Sequence, residues 1–274
     1  MQSGYYNVTG GMVTQFNRLD TIANNLANVN SAGFKEDKTI IGDFMKVYKQ
    51  SRDELELKNQ TIDGAKFYNR TMNRTPQVSE VYTDFSMGAI QKTDNPLDVS
   101  LTREGLFFAV KTPDGIKLTR DGSFSLDDTG KLITKQGYEV LPSDYMQTKQ
   151  PMQFSVDQAY IEMDANGMFS ANQPGTTTFN QVKQLMVVSP ENMKMLKKEG
   201  DGLFSMDPAE IIKPNDETGA LKQGYIEKSN VNPIVAMTSL IETNRLVTMY
   251  QKVMQTQMDD MNRDAITKIA AKAV

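Results

Sequence analysis

Apolar residues recur at Tyr5, Val8, Met12, Leu19, Ile22, Leu26 and Val29, positions a and d of a heptad series interrupted only by Gln15. The series stops at Asn30-Ser31-Ala32-Gly33, where Gly33 suits a left-handed cap and Lys35 lies just past the end. This spacing predicts one helix of about 25 residues. At the other end of the chain, Asn232 is a good N-cap and Pro233 fits the first helical position. Leu240, Val247, Met254 and Met261 then repeat every seven residues, flanked by Met237, Tyr250, Met258 and Ala265, so a helix should run close to Ala270. A helix that long with a narrow apolar stripe needs a partner, and the N-terminal stripe is the obvious one, in the same subunit or in neighbours.

Between the helices the period changes to two. Leu106 to Thr112, Ile116 to Arg120, Ser123 to Leu126, Lys131 to Thr134 and Tyr138 to Leu141 read as short strands separated by turn residues such as Pro113-Asp114-Gly115 and Asp121-Gly122. Strand patterning resumes at Gln153 to Met163 and Gln181 to Val188, with a turn at Asn166-Gly167. The expected fold class is α+β, with N- and C-terminal helices forming a coiled-coil-like helical unit and a mostly β domain inserted between them. The expected division is residues 1–33 with 230–274 as the helical domain, 34–80 as an extended connector with some helix, and 81–229 as the β domain.

Composition narrows the chemistry. The chain has 274 residues, Lys+Arg 30 against Asp+Glu 34, and a net charge of −4, so no overall basic excess points to nucleic acid or an anionic membrane. With 0 His and 0 Cys there is no imidazole base, no Ser-His-Asp or Cys-His pair, no thiolate or imidazole zinc site and no disulfide. The longest apolar run, Leu106 to Val110, is far short of the ~20 residues that span a bilayer. The N-terminal stretch MQSGYYNVTGG has neither the cationic nor the apolar region of a cleaved secretion signal. Eighteen Met and no Trp place an adaptable side chain on the apolar surface, as suits interfaces that repack.

Several polar groups are candidates for a role. Asn24, Asn25, Asn28 and Asn30 sit beside the first stripe, either on a solvated face or bonding across packed helices to set register. Asp127-Asp128-Thr129-Gly130 and Asp164-Ala165-Asn166-Gly167 hint at calcium loops but lack the twelve-residue spacing with a closing Glu, so they read as turns. Asp98, Glu104, Asp121 and Asp127 as a glycosidase carboxylate pair is a remote reading. No catalytic, cofactor-binding or metal residue is expected.

The stretch LDTIANNLANVNSAGFK, Leu19 to Lys35, resembles the N-terminal signature of the bacterial flagellar rod and hook family. NPLDVSL with REGLFFAV, then LTRDGSFSLDDTGKLITKQGYEVL, then KQGYIEKSNVNPIVAMTSLIETNR match it in order. The resemblance implies a structural, non-enzymatic subunit that polymerises helically into the periplasm-spanning rod of the basal body and passes torque to the hook and filament. It implies other copies of itself and other rod proteins as partners, and export by the flagellar type III apparatus without signal cleavage. Membrane insertion, nucleic acid and small-molecule substrates are not expected. Leu246 to Ile269 looks more like proximal than distal rod proteins, because Val247-Thr248-Met249 departs from the Ala-Tyr-Glu-like element of the distal paralogue. The assembly interface would comprise Tyr5, Val8, Met12, Leu19, Ile22, Asn24, Asn25, Leu26, Asn28 and Val29 with Asn232, Met237, Leu240, Val247, Tyr250, Met254, Met258 and Met261. A reading from another class is a peptidoglycan- or carbohydrate-binding β module on a coiled-coil stalk.

Overall fold

A computed structural model describes residues 2–43, 76–155, 160–172, 178–206 and 219–270. These fall into two compact units: residues up to 27, 37–82 and from 232 onward form a helical unit, and residues 28–36 and 83–231 form a β unit. Most of the stretch expected to be a connector, 34–80, lies outside the described residues. Its two ends, β1 (Glu36–Asp43) and β2 (Pro76–Asp84), pair as a two-stranded sheet.

In the helical unit, α1 spans Gln2–Ala27 and α2 spans Pro233–Ala270. Helix α2 starts where its capping residues place it, for the Asn232 side chain accepts from the amides of Ile234 at 3.0 Å and Val235 at 3.3 Å. Helix α1 ends at Ala27 and continues as a turn, so Gly33, with φ 66°, lies beyond the helix rather than closing it.

The β unit is built around β5 (Phe107–Thr112), the middle strand of a sheet ordered β14-β15-β6-β5-β9-β8-β7, with β13 also paired to β5. The remaining strands of that sheet are β6 (Gly115–Thr119), β7 (Phe124–Leu126), β8 (Leu132–Thr134), β9 (Glu139–Val140), β13 (Val187–Val188), β14 (Lys197–Lys198) and β15 (Leu203–Ser205). Strand alternation sends Phe108 and Val110 into one apolar cluster, with Phe124, Leu132, Phe154 and Phe169. Phe107 and Ala109 enter a second, with Leu118, Met186 and Phe204. The apolar run Leu106 to Val110 is therefore a strand covered on both faces.

Strands β10 (Tyr160–Met163), β11 (Met168–Asn172) and β12 (Asn180–Gln184) form a separate antiparallel sheet, turned at Asn166-Gly167. Of the expected strand Gln153 to Met163, Tyr160–Met163 is β10 and Gln153 contributes an isolated bridge to Lys131, while 156–159 lie outside the described residues. Two small pairs complete the unit: β3 (Ile90–Lys92) with β17 (Tyr225–Glu227), and β4 (Val99–Leu101) with β16 (Leu221–Gln223).

Candidate functional site

Helices α1 and α2 pack along each other. Gly11 meets the Tyr250 ring so closely that a Cβ there would sit 2.7 Å from it, about as far from the end of α1 as Tyr250 is from the start of α2. The residues of this unit sunk deepest are small or polar: Gly11, Thr14, Gln15 and Asn25 on α1, Ala236, Thr243 and Val247 on α2. On α2 these join half-buried Leu240, Tyr250, Met254 and Gln257 in a 4-3-4-3 line, which contains Leu240, Val247, Tyr250 and Met254 of the expected stripe but leaves its Met237, Met258 and Met261 exposed. Gly11 lets the Tyr250 ring of α2 lie close against α1, and Ala236 and Thr243 are buried while many larger side chains of α2 are exposed. Ile234 is 75% exposed, and Val235, Met237, Ile241, Met249, Val253, Met258 and Met261 are all exposed as well. Val13 and Phe16 on α1, and Ile40, Ile41, Val81 and Tyr82 on β1 and β2, extend the apolar exposure of the unit. Scattered single apolar residues are ordinary on a surface, but here most of the exposed large apolar side chains fall in one unit.

The residues expected at an interface are distributed unevenly over this unit. Val8, Met12, Leu19, Ile22 and Leu26 are half-buried, Met237, Met258 and Met261 are exposed, and Val247 is 5% exposed; Tyr5 lies in α1. Asn25 bonds within its own chain: its amide nitrogen donates to the Asp37 carbonyl at 2.7 Å, and its oxygen accepts from the Asp37 amide at 3.0 Å. Asn24 is exposed and Asn232 caps α2. In the β unit, Asn28 and Val29 are half-buried.

A second constellation lies in the β unit, and the sequence alone does not reveal it. Lys35, Arg120 and Glu227 are each buried, and they come from three different motifs. Lys35 Nζ lies 2.6 Å from Glu227 Oε1 and donates to the Ser86 carbonyl at 2.7 Å. Arg120 Nε donates to Glu227 Oε2 at 2.9 Å, while its Nη1 donates to the carbonyls of Arg103 at 2.9 Å and Leu106 at 2.6 Å. Glu227 also accepts from the Gly88 amide at 2.9 Å. Burial pushes the Lys35 ammonium below its ordinary value despite Glu227, with Arg120 pushing the same way; burial also lowers Arg120 against the pull of Glu227. Gly33 is required here, since its φ is 66° and a Cβ would meet the Arg120 backbone at 2.3 Å.

The acidic turns do what turn chemistry asks of them. Asp127 Oδ1 accepts from the amides of Thr129 and Lys131, both at 2.8 Å, and Asp164 Oδ1 accepts from Asn166 at 2.9 Å and Met168 at 2.8 Å. Asp98 holds Asn95, and Asp121 holds Ser123. Among the described residues, no group of three or more His, Cys, Asp or Glu could hold a metal ion, and no helix is long and apolar enough to cross a membrane.

The chain thus combines a helical unit that carries many exposed apolar residues with a β unit that has apolar clusters of its own, and among the described residues it has no metal-binding group. Residues 6–35 match the family model described as flagella basal body rod protein, residues 104–179 the flagellar hook protein FlgE/F/G D1 domain, and residues 222–267 the flagellar basal body rod FlgEFG protein C-terminal. The chain is 32% identical to the flagellar basal-body rod protein FlgG of Agrobacterium fabrum over 254 residues, 90% of this chain and 92% of that one. It is 30% identical to FlgG of Buchnera aphidicola from Schizaphis graminum, again over 90% and 92%, and 30% identical to FlgG of Bacillus subtilis over 89% and 91%. The chain belongs to the flagellar basal-body rod protein family. It is a structural, FlgG-like rod subunit of the flagellar basal body.

Proposed function

We propose that the chain polymerises helically through its terminal helical unit, α1 and α2 forming a coiled-coil-like pair whose outward apolar residues meet neighbouring subunits. The supporting observation is the division of labour on α2: Ala236, Thr243 and Val247 face inward, while Met237, Ile241, Met249, Met258 and Met261 remain exposed. Contacts repeated at every subunit turn modest individual burial into a stiff rod that carries torque. The eighteen residues named from the sequence serve this assembly in different ways: Leu240, Val247, Tyr250 and Met254 hold the helix pair together, Asn25 and Asn232 hold β1 and the start of α2, and the exposed ones meet neighbours. Its partners are other copies and other rod proteins, reached through the flagellar export apparatus without signal cleavage; catalysis, nucleic acid, membrane insertion and small-molecule substrates play no part. The expected division into residues 1–33 with 230–274, 34–80 and 81–229 is part of this reading.

Cysteines placed singly at Met237 and Met258 test it in isolated basal bodies. Cross-links from both sites to other subunits are expected, and their absence from incorporated protein would overturn the reading. The identity of the cross-linked neighbours also reads the position along the rod, where the C-terminal stretch Leu246 to Ile269 favours the proximal segment.

A further inference from the structure

Three segments of the β unit lie outside its large sheet: residues 28–36, 84–89 and 227–231. Their ties to one another converge on few groups. The Gly33 amide donates to the Glu227 carbonyl at 2.8 Å, and the Lys228 amide to the Ala89 carbonyl at 2.9 Å. Asn230 Oδ1 accepts from the Glu36 amide at 2.7 Å, while Asn230 Nδ2 donates to the carbonyls of Asp84 at 2.8 Å and Ser86 at 3.2 Å. Lys35 bonds both Ser86 and Glu227, and Glu227 also bonds Gly88. Side chains of 28–36 and 227–231 thus hold each other's segment, and both reach the backbone of 84–89. Segment 28–36 has a further tie, for Lys198 Nζ donates to the Lys35 carbonyl at 2.7 Å and lies 3.7 Å from the centre of the Phe34 ring.

We propose that Lys35, Glu227 and Asn230 form a clamp that makes residues 28–36, 84–89 and 227–231 one cooperatively opening element, distinct from the sheet core and joined to it through Arg120, Lys198 and the Phe85 ring, which packs on Phe107 and Phe204. The reasoning is energetic. Withdrawing any one segment leaves buried charge or backbone polar groups of the other two without partners, so partial opening costs nearly as much as opening all three. The buried members of both apolar clusters lie outside the three segments, so the sheet core loses only the Phe85 ring when the clamp opens. Local stability in proteins divides along such lines.

Native-state amide exchange on the full chain, followed through increasing sub-denaturing guanidinium, tests this without any substitution. The amides of Gly33, Glu36, Gly88 and Lys228 should merge onto one opening isotherm, at least tenfold less protected than the amides of Ala109, Leu132 and Leu141. Separate isotherms for the four would overturn the clamp, and so would their merging with the core amides. Asn230→Ala should accelerate exchange at all four by tenfold or more and leave the core amides unchanged. Acceleration confined to Glu36, its direct partner, would refute cooperativity.

Discussion

Lys35 and Glu227 lie 192 residues apart in sequence and 2.6 Å apart in space, with both side chains 1% exposed. Each stands a few residues from a terminal helix, Lys35 after α1 and Glu227 before α2. The carboxylate serves two buried cations, so the two ends of the pair differ in what their loss leaves behind.

Glu227→Ala strands both Lys35 and Arg120 in the protein interior, and its expected cost is about 3–5 kcal/mol in urea unfolding of the full chain. Lys35→Met leaves the Glu227–Arg120 pair intact, a one-to-one match at 2.7 Å, and should cost distinctly less. Equal losses for the two variants would show that the cluster's charge balance does not govern its energetics.

The same cluster predicts a pH dependence. Burial holds the Lys35 ammonium below its ordinary 10.5, outweighing Glu227. Between its folded value and 10.5 the unfolded chain binds more protons than the folded one, so this group's contribution to stability rises with pH across that window. Lys117 and Lys131 are raised instead, by Glu199 and Glu139, and their contributions fade only above 10.5. Comparing wild type with Lys35→Met from pH 8 to 10.5 isolates the effect: the difference between them should shift toward wild type as pH rises. A difference that stays constant would sink the assignment.

Helix pairing rests on close approach at Gly11. A Cβ there meets the far end of the Tyr250 ring, a group able to swing aside, so Gly11→Ala should be mild. Gly11→Leu has no such relief and should force the helices apart, costing about 1–3 kcal/mol by the usual scale of overpacking. Thermal loss of helical signal by circular dichroism reads both, and Tyr250→Ala should recover part of the Gly11→Leu defect. Failure of that rescue would place the clash elsewhere.

Leu26→Asp and Met254→Asp should each abolish assembly while the β unit stays folded. Both side chains are half-buried within the helical unit, and an unpaired carboxylate desolvated there costs several kcal/mol at every subunit. Expression in cells lacking the native protein, scored by swimming and by recovery of basal bodies, gives the answer. Normal motility with incorporated variant subunits would refute the interface.

Much of this protein is legible along the chain because it depends on neighbours in sequence. Asn232-Pro233 starts α2, the seven-residue repeat carries it to Ala270, and Asp127 and Asp164 fold their own turns, since caps, periodicity and turn bonds act within a few residues. The β5 run announces a strand for the same reason, although being covered on both faces depends on what packs there.

Tertiary structure decides the rest. Periodicity identifies a stripe but not how deeply each member sinks: Thr14, Ala236 and Thr243 are buried while Met237, Met258 and Met261 stay exposed. Asn25 illustrates the same limit, for its position beside the stripe suggested a bond between helices, whereas its partner is the backbone of Asp37. The buried cluster was silent in sequence because Lys35, Arg120 and Glu227 look like ordinary surface charges one at a time. Only folding brings them together, and only the low-dielectric interior makes their pairing an energetic necessity.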